Sequence, residues 1–422
     1  MFGAPQPRFR IYTQPASYSG VLGEVLAGPA AEESSFEQLE QEISRRTGAK
    51  YAVCIPTART GIYLTLAALI KPGQKVLLSP LTIVDVINMV ICAGGVPVFL
   101  DLEANTCNLA AAEVERHIDQ DTGAVLVTHL HGLVCDIERI RIACERVRVP
   151  LIEDAAQSFS AQAGGRWTGT FGRAGIFSFG MYKIVNAFYG GMIVTNDPDL
   201  HRRLRKRMGE FPFMTRGMLL HKALFALATD LSTLPLPFSL FTYWFFRYGY
   251  LQGIEAIQDL VTVDRHPARK ESMPASLLCR MWSSQARLIL KQLNGVEANN
   301  QSRLRAAQRY DAGLRDIPEL ILPPLRTDGS HLYTYYAIRC PDRHRLMRYG
   351  LKRRRDWVVS HYHNCASLQI FKDFFRSCPQ AEATANELLY LPSYPRYSNG
   401  EIDKNIEVIR EFFKHPPSGS YS

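Results

Sequence analysis

Val149-Pro150-Leu151-Ile152-Glu153-Asp154-Ala155-Ala156-Gln157 carries an apolar run into two acids, and a second run, Phe177-Ser178-Phe179-Gly180-Met181-Tyr182-Lys183, leads on to Gly190-Gly191. A strand that is apolar along its whole length, rather than at every second residue, is covered on both faces, as in a parallel sheet clothed by helices. The same texture recurs at Tyr51 to Ile55, Lys75 to Leu78, Val96 to Leu100, Ala124 to Thr128, Val149 to Ile152, Gly175 to Phe179 and Met192 to Thr195, with helical stretches between. These runs predict a large, mostly parallel α/β domain with a seven-stranded type of sheet. Ahead of them, Ser35-Phe36-Glu37-Gln38 has capping-box spacing, and Phe36, Leu39 and Ile43 share a face before Gly48, which predicts a helix over about 35 to 47.

Beyond about residue 300 the pattern changes. Asn300 to Leu314 and Lys404 to Phe413 have helical spacing and Tyr333 to Arg339 reads as a strand, so a smaller α+β domain is expected over 301–422, behind a large domain over 1–300. The large domain carries an apolar insertion at about 210–270. Its centre, Met218 to Tyr250, holds Ala223-Leu224-Phe225-Ala226-Leu227-Ala228 and Phe238-Ser239-Leu240-Phe241-Thr242-Tyr243-Trp244-Phe245-Phe246, interrupted by Lys222, Asp230, Pro235 and Pro237. A spanning helix needs about 20 uninterrupted apolar residues, which neither half supplies. Two readings stay open: helices buried at a subunit interface, or a peripheral membrane patch flanked by Arg247 and the basic run 202–207.

Of the 422 residues 46% are hydrophobic and 21% charged, the usage of a globular chain. A formal charge of +9 favours anionic partners. The two basic clusters, Arg202-Arg203-Leu204-Arg205-Lys206-Arg207 and Lys352-Arg353-Arg354-Arg355, lack interleaved stacking aromatics and read as solvated helix faces, not as a nucleic-acid site. Nine cysteines, with no Cys-x-x-Cys pair and no zinc spacing, read as free thiols with no metal centre. Met1 to Arg8 lacks the apolar core of a signal peptide, so a cytoplasmic protein is expected, with membrane association left open by the insertion.

Asp154 ends its run, which puts a carboxylate at the carboxyl edge of the sheet, where open α/β folds bind ligands. The bland alternative is a helix N-cap ahead of Ala155-Ala156. Lys183 follows the next apolar run and precedes the glycine pair, whose backbone could approach a ligand closely. An acid and a lysine so disposed suit pyridoxal 5'-phosphate: the amine forms a Schiff base with the aldehyde, and the carboxylate keeps the pyridine nitrogen protonated. Gln157 either completes a capping box or meets the phenolic oxygen, and Ser178 is a satisfied strand serine or a phosphate ligand. Thr57-Ala58-Arg59-Thr60-Gly61, between the strand ending at Ile55 and a helical run, is either a plain cap or a helix N-terminus aimed at an anion, with Arg59 adding charge.

Glu153-Asp154-Ala155-Ala156-Gln157, Phe177 to Lys183 at its distance downstream and Gly190-Gly191 resemble the DegT/DnrJ/EryC1/StrS aminotransferase family, of the fold-type-I pyridoxal phosphate enzymes. The resemblance covers roughly 30–210 and 275–415. Supporting matches include Gly94 to Asp101, Val127 to Gly132, Gln285-Ala286, His361-Tyr362 and Leu391-Pro392. It implies Lys183 as the catalytic lysine, Asp154 at the ring nitrogen, Gln157 at the phenolic oxygen, and Ser178, Thr57 and Ala58 at the phosphate. It further implies a homodimer and glutamate as the usual donor. Lysine at 183, where one branch of the family carries histidine and dehydrates, points to transamination.

Four positions depart from the family pattern: Arg59 beside Thr57-Ala58, Ile83 where an aromatic ring is usual, Tyr189 in place of a glutamate, and Leu278 in place of an asparagine two residues before Arg280. The expectation is therefore an aminotransferase acting on a keto-sugar or related carbonyl acceptor, soluble or lipid-linked and membrane-presented. A pyridoxal phosphate lyase or dehydratase and a non-catalytic regulator stand as alternatives. His361, Tyr362 and Tyr182 are the candidates to line the acceptor pocket, with core or interface packing as the competing role for each.

Overall fold

The computed structural model describes residues 3–11, 13–28, 32–260 and 267–414. Met1 and Phe2, and residues 261–266 of the insertion expected at about 210–270, lie outside the described residues. All seven apolar runs form one sheet from β1 (Tyr51–Ile55), β2 (Lys75–Leu78), β3 (Val96–Phe99), β4 (Thr122–Thr128), β5 (Leu151–Asp154), β6 (Ala174–Ser178) and β7 (Gly191–Thr195). Their order is β1-β7-β6-β5-β4-β2-β3; β7 runs antiparallel to both neighbours and the other four pairings are parallel. Register brings Thr128 opposite Asp154, and Asp154 opposite Ile176, so the carboxyl ends of β4 and β5 come level.

Coverage of both faces explains why the strands do not alternate. Ala124 and Leu126 of β4 pack into a core with α3 (Ala58–Leu69) and α4 (Val84–Cys92). Val125 and Val127 pack on the opposite side with α5 (Ala111–His117) and α6 (Ile137–Val147). On β1, Val53 and Ile55 join the first of these cores, whereas Ala52 and Cys54 join a third, built with α1 (Pro15–Ala27) and α2 (Glu33–Thr47).

One local reading is corrected and another gains a packing reason. The helix expected from residue 35 starts at Glu33, because the Ser35 hydroxyl donates to the Glu32 carboxylate (3.2 Å) instead of capping a backbone N–H. Gly191 is required by packing: a Cβ there would lie 2.6 Å from the Phe177 carbonyl oxygen and 3.1 Å from Ile55, whereas Gly190 takes a φ of +138°, which favours glycine. Gly191→Ala is expected to cost about 1–3 kcal/mol through overpacking, read as a lower urea midpoint with unchanged slope.

The smaller sheet joins β8 (Tyr336–Arg339), β9 (Val358–Val359) and β10 (Leu388–Leu391), antiparallel, with β10 in the middle. The insertion forms α8 (Arg216–Ser232) and a second helical run α9 (Pro235–Leu251), bent by 68° from α8 and including a π-helical turn over Phe238–Thr242. α7 (Pro198–Gly209) precedes them. The helices α10 (Ser283–Gln292), α11 (Val296–Leu314), α12 (Arg343–Lys352) and α13 (Asn399–Lys414) complete the frame. Phe238 and Tyr243 of α9 enter the core of the smaller sheet beside Tyr310, Trp357 and Phe412, and the Tyr243 hydroxyl donates to the Leu351 carbonyl at 2.5 Å.

The basic clusters are largely occupied within the chain. On α7, Arg205 pairs with Glu40 and Arg207 with Glu210, both at 2.6 Å, and Arg203 donates to the Ala68 carbonyl. Downstream, Arg353 pairs with Glu411 and the buried Arg355 with Glu401.

Burial lowers the pKa of His131 and of His331 to about 3, and that of His361 to about 4, against about 6.5 for a free imidazole. In the window from about 6.5 down to those values the unfolded chain binds more protons than the native one. The contribution of these three histidines is therefore full above about pH 6.5 and is lost as pH falls, and it outweighs the opposite contribution of His129, whose pKa is raised to about 10. The urea midpoint should drop between about pH 7.5 and 5, and His331→Gln should reduce the drop; equal midpoints in the wild-type protein would contradict the assignment.

Candidate active site

Glu153 and Asp154 are adjacent in sequence and divide two tasks by their environments. The Glu153 carboxylate, fully buried, accepts from the backbone N–H of Gly169 and Gly172, each at 2.7 Å, and contacts His129 Nε2 at 3.1 Å. It holds the loop ahead of β6. Asp154, 5% exposed, accepts only from neutral donors: Ala156 N–H at 3.0 Å and the Thr128 hydroxyl at 3.3 Å. Ala156-Gln157 form a turn and no helix follows, so Asp154 caps no helix. Among the described residues no cationic side chain lies in salt-bridge range of it. Burial raises its pKa, opposed by the Ala156 N–H and by the charge of Lys183. A buried carboxylate without a cationic partner is a place for one.

Lys183 supplies the other half. It sits in the turn after β6, its backbone N–H donating to the Gly180 carbonyl at 3.0 Å. Desolvation lowers the pKa of its amine; the charge of Asp154 works against this and that of Arg59 with it. Lys183 therefore lies within electrostatic reach of both the acid and the α3 N-terminus. There Thr57 caps α3: its hydroxyl accepts from Thr60 N–H at 3.2 Å and shares a hydrogen with the Thr60 hydroxyl at 3.0 Å. Ala58 is the first helical residue. The Arg59 guanidinium is held by Asp85 at 2.6 Å, and Lys270 contacts the other oxygen of the same carboxylate.

Gln157 makes no capping box. Its side-chain oxygen accepts from His131 N–H at 3.0 Å and its amide donates to the Tyr362 hydroxyl at 2.8 Å. Ser178 is the last residue of β6, and its hydroxyl oxygen accepts from Gly180 N–H at 3.5 Å.

A cavity of about 860 Å³ opens beside this group. Lys183, Tyr182 and His361 line it, together with Tyr335 and Tyr390, whereas Tyr362 is buried against Gln157. Thr57, Ala58, Arg59, Asp154, Gln157 and Ser178 do not line it; Lys183 is common to both groups. Sequence reasoning missed Tyr390 and His131, whose hydroxyl and ring Nε2 lie 2.9 Å apart and whose residues are 259 positions apart. His131 stood within Val127 to Gly132, but nothing local singles it out.

Three of the four departing positions, Arg59, Ile83 and Tyr189, have partners within the fold. Ile83 packs against the core around α4. The Tyr189 ring lies 5.5 Å from the Lys222 amine of α8, and Arg280 lies over Phe213 at 4.6 Å.

The model of the DegT/DnrJ/EryC1/StrS aminotransferase family matches residues 25–218 and 260–410. The chain belongs to that family. Its match breaks off between 218 and 260, the interval that holds most of α8 and all of α9, so the hairpin is an addition to the DegT/DnrJ/EryC1/StrS frame. The chain is 26% identical over 391 residues to the spore coat polysaccharide biosynthesis protein SpsC of Bacillus subtilis, covering 90% of this chain and 89% of that one. It is 26% identical over 386 residues to the GDP-perosamine synthase of Caulobacter vibrioides, covering 88% of each. A DegT/DnrJ/EryC1/StrS aminotransferase from Brucella abortus shares the fold, with a TM-score of 0.72 at 21% identity and 94% coverage of both chains.

As a member of this family the protein is an aminotransferase of the pyridoxal phosphate class. The residues present fit that group. Asp154 is a buried acid awaiting a cation, the Lys183 amine has a depressed pKa, and α3 offers its N-terminus to an anion.

Proposed function

We propose that this chain moves an amino group from glutamate to the carbonyl carbon of a keto-sugar or related compound, with Lys183 as the catalytic amine. One observation carries the reading: Lys183 is at once a neighbour in charge to the buried Asp154 and part of the wall of the 860 Å³ cavity. The names of the polysaccharide and perosamine relatives support a sugar acceptor.

Asp154 would face the ring nitrogen of pyridoxal phosphate, Gln157 its phenolic oxygen, and Thr57, Ala58 and Ser178 its phosphate, with Arg59 adding positive charge nearby. When bound, the cofactor supplies an electron sink for the donor's α-carbon. Lys183 Nζ, its pKa lowered by desolvation, takes the proton from that carbon and returns one to the carbon that receives the amine. Tyr182 and His361, and Tyr362 through Gln157, would orient the acceptor. Residues 1–300 are assigned to the cofactor-holding domain and 301–422 to a smaller domain folded back towards it, in a homodimer.

The test is a glutamate-dependent reaction of purified holoenzyme, with oxoglutarate release and product mass read together. A product one amino group richer at the cost of one carbonyl oxygen supports the proposal. Consumption of the acceptor without oxoglutarate release would identify a lyase.

A further inference from the structure

The cavity leads away from Lys183 along the inserted hairpin. Phe225 of α8 and Phe238, Phe241, Phe245 and Phe246 of α9 line it, and Leu260 completes this wall. Phe225, Phe241 and Phe245 are also exposed, Phe241 to 72%, so the cavity opens to the outside between apolar rings. Outside the cavity the same two helices also expose Leu224, Leu231, Leu236, Leu240, Trp244 and Tyr248, with Leu236 at 67%. An uncovered apolar patch of this kind marks an interaction surface.

Charge on the hairpin is one-sided. From Gly217 to Ile254 the only acid is Asp230, and its carboxylate is turned inward, accepting from the Tyr18 hydroxyl at 2.6 Å and from Thr13 N–H at 3.2 Å. Arg247 and Arg354 both lie over the Trp244 ring, at 5.5 and 5.7 Å, bringing cations to the rim of the apolar face. No single described helix is long and apolar enough to cross a bilayer; the bent pair α8–α9 reaches the length and composition only when taken together. Exposed aromatics, no outward acid and a cationic rim belong to an element lying in the headgroup region of an anionic lipid surface.

The cavity's polar part has a second signature. Arg303 of α11 lines it, is buried, and has its pKa lowered to about 10 by desolvation. Its guanidinium donates to the Asn300 side-chain oxygen at 3.0 Å, and no carboxylate of the described residues is in salt-bridge range. Lys291 and Arg396 line the same cavity, while its one acid among the described residues, Asp356, is paired with Arg8. A buried guanidinium without a carboxylate suits a phosphate.

We propose that α8–α9 docks on an anionic membrane, and that the mouth between Phe225, Phe241 and Phe245 admits an acceptor sugar joined through phosphate to a hydrocarbon chain. Phosphate lies towards Arg303, the sugar carbonyl reaches Lys183, and the chain follows the phenylalanine wall back to the bilayer. This rests on the aminotransferase reading and adds the chemistry of the carrier.

The experiment uses holoenzyme in three assays. Sedimentation with phosphatidylcholine vesicles, with and without phosphatidylglycerol, measures docking. Wild type should co-sediment with the anionic vesicles, and Leu236→Asp/Leu240→Asp, which alters residues outside the cavity, should reduce the bound fraction at least tenfold. Turnover of one keto-hexose is then compared on a polyprenyl pyrophosphate in vesicles and on a nucleoside diphosphate in solution. The lipid-linked form should be preferred at least tenfold, and Arg303→Gln and Phe245→Asp should each raise its KM. Oxoglutarate release in a single turnover with glutamate serves as the reference; its failure in the wild type would count against the aminotransferase reading alone, whatever the vesicles do. The proposal is overturned if wild type ignores anionic vesicles, if the nucleotide-linked sugar is preferred, or if Leu236→Asp/Leu240→Asp converts a dimer to monomers in sedimentation velocity, which would make the hairpin a contact between copies of this chain.

Discussion

Lys183→Ala is expected to lower amino transfer by about 10⁴-fold or more, while leaving the fold and its urea midpoint nearly unchanged. The size follows from two functions lost together: the covalent hold on the cofactor and the amine that shuttles a proton at the donor's α-carbon. Burial holds the pKa of this amine below that of an ordinary lysine. Lys183→Arg should fail almost as completely, because a guanidinium stays protonated and cannot serve as nucleophile or base. The decisive readout is mass: after borohydride treatment of holoenzyme, the cofactor should remain attached to the wild-type chain at Lys183 and be absent from Lys183→Ala. Equal oxoglutarate release by Lys183→Ala and wild type would refute the assignment.

Asp154→Asn should cost about two to three and a half orders of magnitude in turnover. Removing one member of a buried charge pair typically costs about 3–5 kcal/mol, and each factor of ten in rate is about 1.4 kcal/mol. The apoprotein should tolerate this change well, since Asp154 meets only neutral donors there and burial already raises its pKa. Glu153→Gln should behave in the opposite way, with loss of stability ahead of loss of chemistry, because Glu153 anchors Gly169, Gly172 and His129. Kinetics and urea melts on the two neighbouring variants separate the roles; equal effects on both measurements would remove the distinction drawn between the acids.

Much of the frame was legible in the sequence. Seven uninterrupted apolar runs became seven strands of one sheet because burial on both faces suppresses alternation, and that pattern is local to each run. The lysine, the acid and the capped helix start were legible too, since each sits at the end of such a run. Less accessible was which of Glu153 and Asp154 meets structural donors: both are acids at the end of β5, and successive side chains on a strand face opposite sides of the sheet. The packing role of Gly191 was hidden for a related reason. A glycine records that something comes close, and only the packed structure identifies the Phe177 carbonyl as what does so.

By itself the sequence determined the α/β frame and the family, and it singled out Lys183, because these depend on residues close together along the chain. Tertiary structure alone decided what stands on the far side of Lys183. Phe241, Arg303 and His361 come to one cavity from α9, α11 and the segment after β9. The apolar hairpin could be read from composition as an interface of some kind. That it forms a wall of the cavity reaching Lys183 depends on Phe238 and Tyr243 anchoring it in the core of the smaller sheet, a contact between segments about a hundred residues apart that no local pattern encodes.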